Sequence, residues 1–369
     1  MRLEQINELR KRMEFNSTES ETLVRLVEES QQKGESFQKE NKRLRILSQK
    51  LLKKIGREQI FFTDADLPSN FDPKTCCSVG IDGSFFPMGG IGGKWYIPYS
   101  VVRILFSEGF HSMPVVDVYA AGIEEIQEQE FINVKSEASL RMLVGESKAI
   151  ENWGAKNIPS LIFIDGPIVD PPKPVNDDYV IERTKGIKKC LEKSIMIGCV
   201  KRSRDNFFKK DFEEKFKIDF SELNNFPSDQ YLFAYFFMSY RHETDYNGSL
   251  FSHFIDISNM PPNEKYNENG LKIFTVYFQK NINSKVMRID IPFLAGREKN
   301  LLAIEKTIKK AIKSVNDWQY PDQYVPLPVE LAHQKCNIKQ GTAEVLYEEI
   351  ITRSRSADVI DQITLMQLR

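Results

Sequence analysis

A chain of 369 residues exceeds one average domain, so one large core with additions, or two domains, is expected. Hydrophobic residues make up 41% of it and charged residues 28%, a balance that excludes disorder as the main state. The 51 Lys and Arg residues oppose 52 Asp and Glu for a net charge of -1, which excludes a uniformly basic nucleic-acid coat but not a local phosphate-binding patch.

Leu3 to about Gly56 contains no proline, and its apolar residues recur at helical spacing, as in Leu44, Leu47, Leu51 and Ile55. One or two long amphipathic helices are predicted, with Gly34 and the Asn16 to Ser20 cluster as breaks. Such an arm packs on its own domain or on a second copy, or touches DNA through Arg43, Arg45, Lys50, Lys53, Lys54 and Arg57. After Asp64 the texture becomes β-rich, which predicts a boundary near residue 60 between a 1–60 arm and a 61–369 domain.

Strands are predicted at Cys77–Ser84, Trp95–Phe106 and Met113–Ala121, with a glycine-rich turn at Gly89–Gly93, as an antiparallel meander. A helix from about Ser136 to Trp153, a strand Leu161–Ile164, a helix from about Asp178 to Lys193 and a strand Ile195–Val200 follow. This β-β-β-α-β-α-β order predicts an α/β fold, a ribonuclease H-like mixed sheet flanked by helices. Tyr231–Tyr240, Phe251–Ile257, Ile273–Gln279 and Val286–Ile291 read as further strands and Leu301–Val315 as a helix, all extending the same domain.

Five cysteines, Cys76, Cys77, Cys190, Cys199 and Cys336, show no C-x-x-C spacing, which disfavours a zinc ribbon or a disulfide framework and favours a reducing cytoplasm. Acidic residues near Met1 disfavour a signal peptide, and no run approaches ~18 apolar residues, so neither export nor a membrane span is expected.

Two predicted strands end alike, in Val79-Gly-Ile-Asp82-Gly83-Ser84 and Ile162-Phe-Ile-Asp165-Gly166-Pro167. If the first and fourth strands are parallel neighbours, both carboxylates reach one sheet edge, where their repulsion calls for a cation. Hard oxygen donors suit magnesium or manganese, which can activate water for phosphodiester hydrolysis. The intervening helix offers Glu137, Glu146 or Glu151 as a third carboxylate, and periodicity does not choose among them. Lys201, Arg202 and Arg204 follow the fifth strand, placed to grip phosphates, with Lys201 able to stabilise the transition state. Lys209, Lys210, Lys215 and Lys217 are diluted by acids, and His242 reads as part of a polar loop at a strand end.

Two other motifs fail. Gly89-Gly-Ile-Gly-Gly93-Lys94 is followed by Trp95 where a Walker A motif needs Ser or Thr, and Asp82-Gly-Ser84 lacks the G-x-S-x-G of a nucleophile elbow.

Ile81-Asp-Gly-Ser84, Ser139-Leu-Arg-Met-Leu-Val-Gly-Glu146, Phe163-Ile-Asp-Gly166, Val200-Lys-Arg-Ser203, Arg288-Ile-Asp-Ile-Pro292 and Pro326-Leu-Pro-Val-Glu-Leu-Ala-His333 occur in this order. The set resembles the NurA nuclease family from about residue 75 to 340. The resemblance implies a ribonuclease H-like fold, a manganese-dependent DNA nuclease with magnesium as an alternative, a homodimer, and a HerA-type hexameric ATPase as partner in processing DNA ends. It implies Asp82, Glu146 and Asp165 as carboxylate ligands and His333 as the late histidine of the site, either ligand or proton carrier. Pro167 stands where the family usually has serine after Asp-Gly. The rival expectations are a non-catalytic DNA-binding adaptor of the ATPase and an RNA-directed ribonuclease.

Overall fold

The computed structural model describes residues 19–89, 94–128, 130–169, 177–296 and 300–354. Its first element is one helix, α1 (Ser20–Ile55), capped by Glu19, whose carboxylate accepts the Glu21 and Thr22 N–H groups at 2.6 and 3.1 Å. Gly34 does not break it. The glycine sits in open space among good helix formers, where it costs only about 1 kcal/mol relative to alanine. The helix ends at Gly56, with φ +90°.

Next come β1 (Phe61–Thr63), β2 (Ser78–Phe85), β3 (Met88–Gly89), β4 (Lys94–Phe106), β5 (Val115–Gln127), α2 (Phe131–Ala155), β6 (Leu161–Asp165), α3 (Asp177–Leu191) and β7 (Ile195–Val200). The predicted β-β-β-α-β-α-β order is therefore present. β4 runs antiparallel to β2 and β5, while β2, β6 and β7 lie side by side in parallel. Ile81 faces Ile164 across β2 and β6, so Asp82 and Asp165 occupy the next step of the register. The turn expected at Gly89–Gly93 lies, from residue 90, outside the described residues.

The second half holds α4 (Phe207–Phe216), α5 (Phe220–Leu223), α6 (Asp229–Thr244), β8 (Leu250–Ser252), β9 (Ile255–Asp256), α7 (Glu264–Glu268), β10 (Leu271–Gln279), β11 (Met287–Leu294), α8 (Leu301–Trp318), α9 (Leu327–Cys336) and α10 (Gln340–Ser354). β11 pairs antiparallel with β7, so the later strands extend the same sheet to eleven strands among the described residues.

Two expectations fail here. Tyr231–Tyr240 is not a strand but the body of α6, with the Ser228 hydroxyl accepting the Tyr231 N–H at 3.4 Å as an N-cap. Leu232, Phe233, Phe236 and Phe237 are buried at helical spacing, a period hidden in the sequence because Tyr231 and Met238, on the exposed side, are also apolar. His242 accordingly lies in the last turn of a helix, not in a loop. Phe251–Ile257 resolves into two short strands, β8 and β9, rather than one.

The sheet separates two cores. Ile162 and Ile164 face one core with Leu44, Leu51, Leu52 and Ile55 of α1 and the aromatics of α6. Leu161 and Phe163 face the other, with Trp318 of α8 and Val329 and Ala332 of α9. This alternation is the two-residue period of a strand buried on both faces. One contact sets the position of α9: a Cβ on Gly80 would lie 2.0 Å from the Pro328 carbonyl oxygen, so only glycine lets the start of α9 lie directly on β2.

Candidate metal centre

Asp82 is the fifth of eight residues of β2, and Asp165 is the last residue of β6. Only the second is at a strand end; β2 continues to Phe85 along β4 alone, so Asp82 borders the gap that opens where β6 stops. The parallel pairing brings both carboxylates to one histidine. His333 Nδ1 lies 2.8 Å from Asp82 Oδ2 and 3.5 Å from Asp165 Oδ2. On the same face of α9, one turn later, the Cys336 thiol donates to Asp82 Oδ2 at 3.3 Å. Asp82, His333 and Cys336 offer ligand atoms all within 4.8 Å of one another.

Packing separates the three candidate glutamates. Glu146 is 3% exposed, and its Oε1 lies 2.9 Å from where a Gly83 Cβ would stand. Glu146 thus approaches from the α2 side of β2 while His333 approaches from the other side. Arg183 Nη1, on the wholly buried Arg183 of α3, lies 3.8 Å from Glu146 Oε2. Glu151 instead pairs with Lys189 and Lys185 at 2.6 and 3.2 Å, and Glu137 with Arg141 at 2.9 Å.

Lys201 follows β7 immediately, and its Nζ lies 2.6 Å from Asp165 Oδ2. Arg202 and Arg204 are exposed on the same turn, with no ion pair to a site carboxylate among the described residues. Lys209 is buried and donates to the Phe226 carbonyl, which removes it from any phosphate-gripping set.

Burial and the neighbouring Asp82 push the Asp165 carboxyl above its usual range, against the pull of Lys201 and His333. The hydrogen bond to Asp82 raises His333, against burial and Lys201. Burial, then Asp82, holds the Cys336 thiol far above its usual range, so it stays protonated and acts as a donor. Asp165 raised by burial and by its neighbour Asp82, the Glu146 carboxylate nearby and an imidazole make a donor set that fits a hard or borderline divalent cation.

The sequence reading missed Gly80, Arg183 and Cys336. Cys336 carried a signal, its i+3 spacing from His333, and Gly80 another, a glycine within an apolar strand; the place of Arg183 depends on how α3 packs on α2 and leaves none.

The sequence profile of the NurA domain matches residues 18–338, a span containing every site residue named above. The fold matches the crystal structure of the NurA nuclease from Sulfolobus solfataricus with a TM-score of 0.56 and 16% identity, over 91% of this chain and 97% of that one. It also resembles a crystal structure of NurA with manganese, with a TM-score of 0.44 and 11% identity over 92% and 99% of the two chains. No match is found among curated protein sequences. With the profile spanning most of its length and the sheet in agreement, the chain belongs to the NurA family.

Proposed function

We propose that this protein is a divalent-metal-dependent deoxyribonuclease built on a ribonuclease H-like core, acting on DNA ends. The convergence of Asp82, Asp165 and His333 from three separate elements onto one point at the sheet edge carries the reading. Asp82, Asp165, Glu146 and His333 are the residues that would hold the cation, manganese with magnesium as a substitute. When bound, such an ion supplies Lewis acidity and lowers the pKa of water.

The chain's own groups do the rest. Lys201, fixed beside Asp165, stabilises negative charge developing on the scissile phosphate. Arg202 and Arg204 hold flanking phosphates from the exposed turn. His333, with Nδ1 engaged by Asp82, keeps Nε2 for the cation or for a proton.

Nothing in the chain resembles a translocation motor, so processive work requires an ATP-driven partner, a HerA-type hexamer on which a dimer of this chain docks. The arm supplies exposed apolar residues for association, including Leu26 and Ile46. The protein works in the cytoplasm, in repair or in defence against foreign DNA.

The test is digestion of end-labelled single-stranded DNA, duplex DNA and RNA with manganese, with magnesium and with chelator. Metal-dependent DNA cleavage is the expected result. Binding without cleavage under every condition would make the chain an adaptor, and cleavage of RNA alone would make it a ribonuclease.

A further inference from the structure

The groove that adjoins the site is independent of the carboxylates in its chemistry. It has a volume of about 880 Å³ and runs between α1, α6 and the turn after β7, with Lys201 in its wall. Its cationic lining comprises Lys42, Arg45, Lys201, Arg202 and Lys285, and no acidic residue lines it. In a chain whose overall charge is -1, five cations without one carboxylate are a local concentration of positive potential. Lys42, Arg45, Arg202 and Lys285 make no ion pair with a carboxylate among the described residues, and Lys285 Nζ sits 5.5 Å from the centre of the Tyr324 ring in the same lining.

Aromatic residues share this lining, Phe37, Tyr231, Tyr235 and Tyr324. Phe37 is 61% and Tyr231 46% exposed, so both rings are accessible in the groove. Tyr235 hydrogen-bonds Asn41 and joins α6 to α1, fixing the two walls to each other. At the inner end, Gln230 donates to the Lys201 carbonyl at 3.0 Å and to the Tyr324 hydroxyl at 2.7 Å, and the Tyr324 hydroxyl also donates to the Lys201 carbonyl. Gln230 and Tyr324 of the lining are thus tied to the Lys201 backbone, and the Lys201 side chain passes from there to Asp165.

From this geometry we propose that the groove is the seat of a single DNA strand leading into the metal centre, with phosphates on the cations and unpaired bases stacked on Phe37 and Tyr231. A duplex presents no free base face to such rings, whereas a single strand offers one per nucleotide. The choice of DNA rests on the nuclease reading above; the occupancy of the groove by a single strand does not.

Binding of a fluorescein-labelled oligo(dT) by the full chain, followed by anisotropy in chelator, separates the two, because no cleavage is needed. K42E/R45E should bind at least about tenfold more weakly, with the slope of log affinity against log salt shallower by about 0.7 per lost phosphate contact. F37A/Y231A should lose about tenfold or more with the slope unchanged, as stacking rather than charge is removed. K193E/K306E, with the same charge change at exposed positions off the groove, should bind like the wild type. Melting temperatures identify any variant that has failed to fold.

Wild-type affinity in both groove variants overturns the proposal, as does an equal loss in K193E/K306E. Loss of dimer mass in the groove variants with oligo(dT) binding intact would make the groove a protein interface, and binding of oligo(rU) in preference to oligo(dT) would overturn the assignment to DNA. A wild type that binds oligo(dT) in the groove but never cleaves it would leave this proposal standing and remove the nuclease reading.

Discussion

His333 Nδ1 meets Asp82 Oδ2 at 2.8 Å across 251 positions of sequence. The contact closes a ring of donors that includes Asp165, whose carboxyl is raised by burial and by Asp82. Asp82→Asn and Asp165→Asn should each lower DNA cleavage by more than about 100-fold, since losing a ligand costs more than losing a supporting partner. Asp165→Asn should also raise the melting temperature of the metal-free protein, because burial, and then Asp82, disfavour the charged carboxylate there. Wild-type cleavage by either folded variant would place the site elsewhere.

Glu146→Gln should be far more damaging to cleavage than Glu151→Gln. The first carboxylate is buried beside Gly83 and Arg183, while the second sits with two surface lysines. Parallel rate measurements settle the ranking, and the opposite order would exclude Glu146 from the centre.

Gly80→Ala should impair both stability and cleavage. Its methyl group would stand 2.0 Å from the Pro328 carbonyl, so α9 must lift and carry His333 away from Asp82. Overpacking of this kind costs about 1 to 3 kcal/mol, readable by urea unfolding. An unchanged unfolding midpoint would mean that α9 is not pressed onto β2.

The pH dependence follows from the two raised groups. His333, held above its ordinary value of 6.5 chiefly by its hydrogen bond to Asp82, binds its proton more tightly folded than unfolded. That contribution to stability is fully present below 6.5 and is lost as pH rises through the folded value. A cation needs the deprotonated forms of both His333 and Asp165, so manganese should bind more tightly as pH rises. Thermal melts across pH, with and without manganese, should therefore diverge toward higher pH. Convergence there would contradict metal binding at this cluster.

Residues 1–60 should not be removable as a unit. Leu44, Leu51, Leu52 and Ile55 are buried in the core beside α6, and Leu51→Ala alone should cost about 2 to 5 kcal/mol. Removing only residues 1–35 spares these side chains and should weaken self-association or ATPase binding, as read by light scattering and titration. Unchanged association would free the outer arm of that role.

The legible part of this molecule was local. Asp82-Gly and Asp165-Gly end apolar runs, the flanking helices show their periods, and the β-β-β-α-β-α-β succession along the chain could be read from them, whereas the parallel pairing of β2 with β6 stood only as a condition. Tyr231–Tyr240 defeated the same reasoning because apolar residues on both sides of α6 erase the period. Periodicity left Glu146 and Glu151 open, and what sets them apart in space is the close approach of Glu146 to Gly83, a fact of packing between two elements. Cys336 and Arg183 belong to the same class, defined by what docks beside them and not by their neighbours in sequence.

The position of α9 has a consequence for the life of the chain. Asp82, Glu146 and Asp165 emerge from the ribosome long before His333, and the helix that bears the histidine follows every described strand of the sheet. While domains generally form as units during synthesis, this cluster can be assembled only by its last contributor. A nascent or prematurely terminated polypeptide ending before residue 333 carries Asp82, Glu146 and Asp165 without the imidazole, so the candidate cluster stays incomplete until the described strands have all been made.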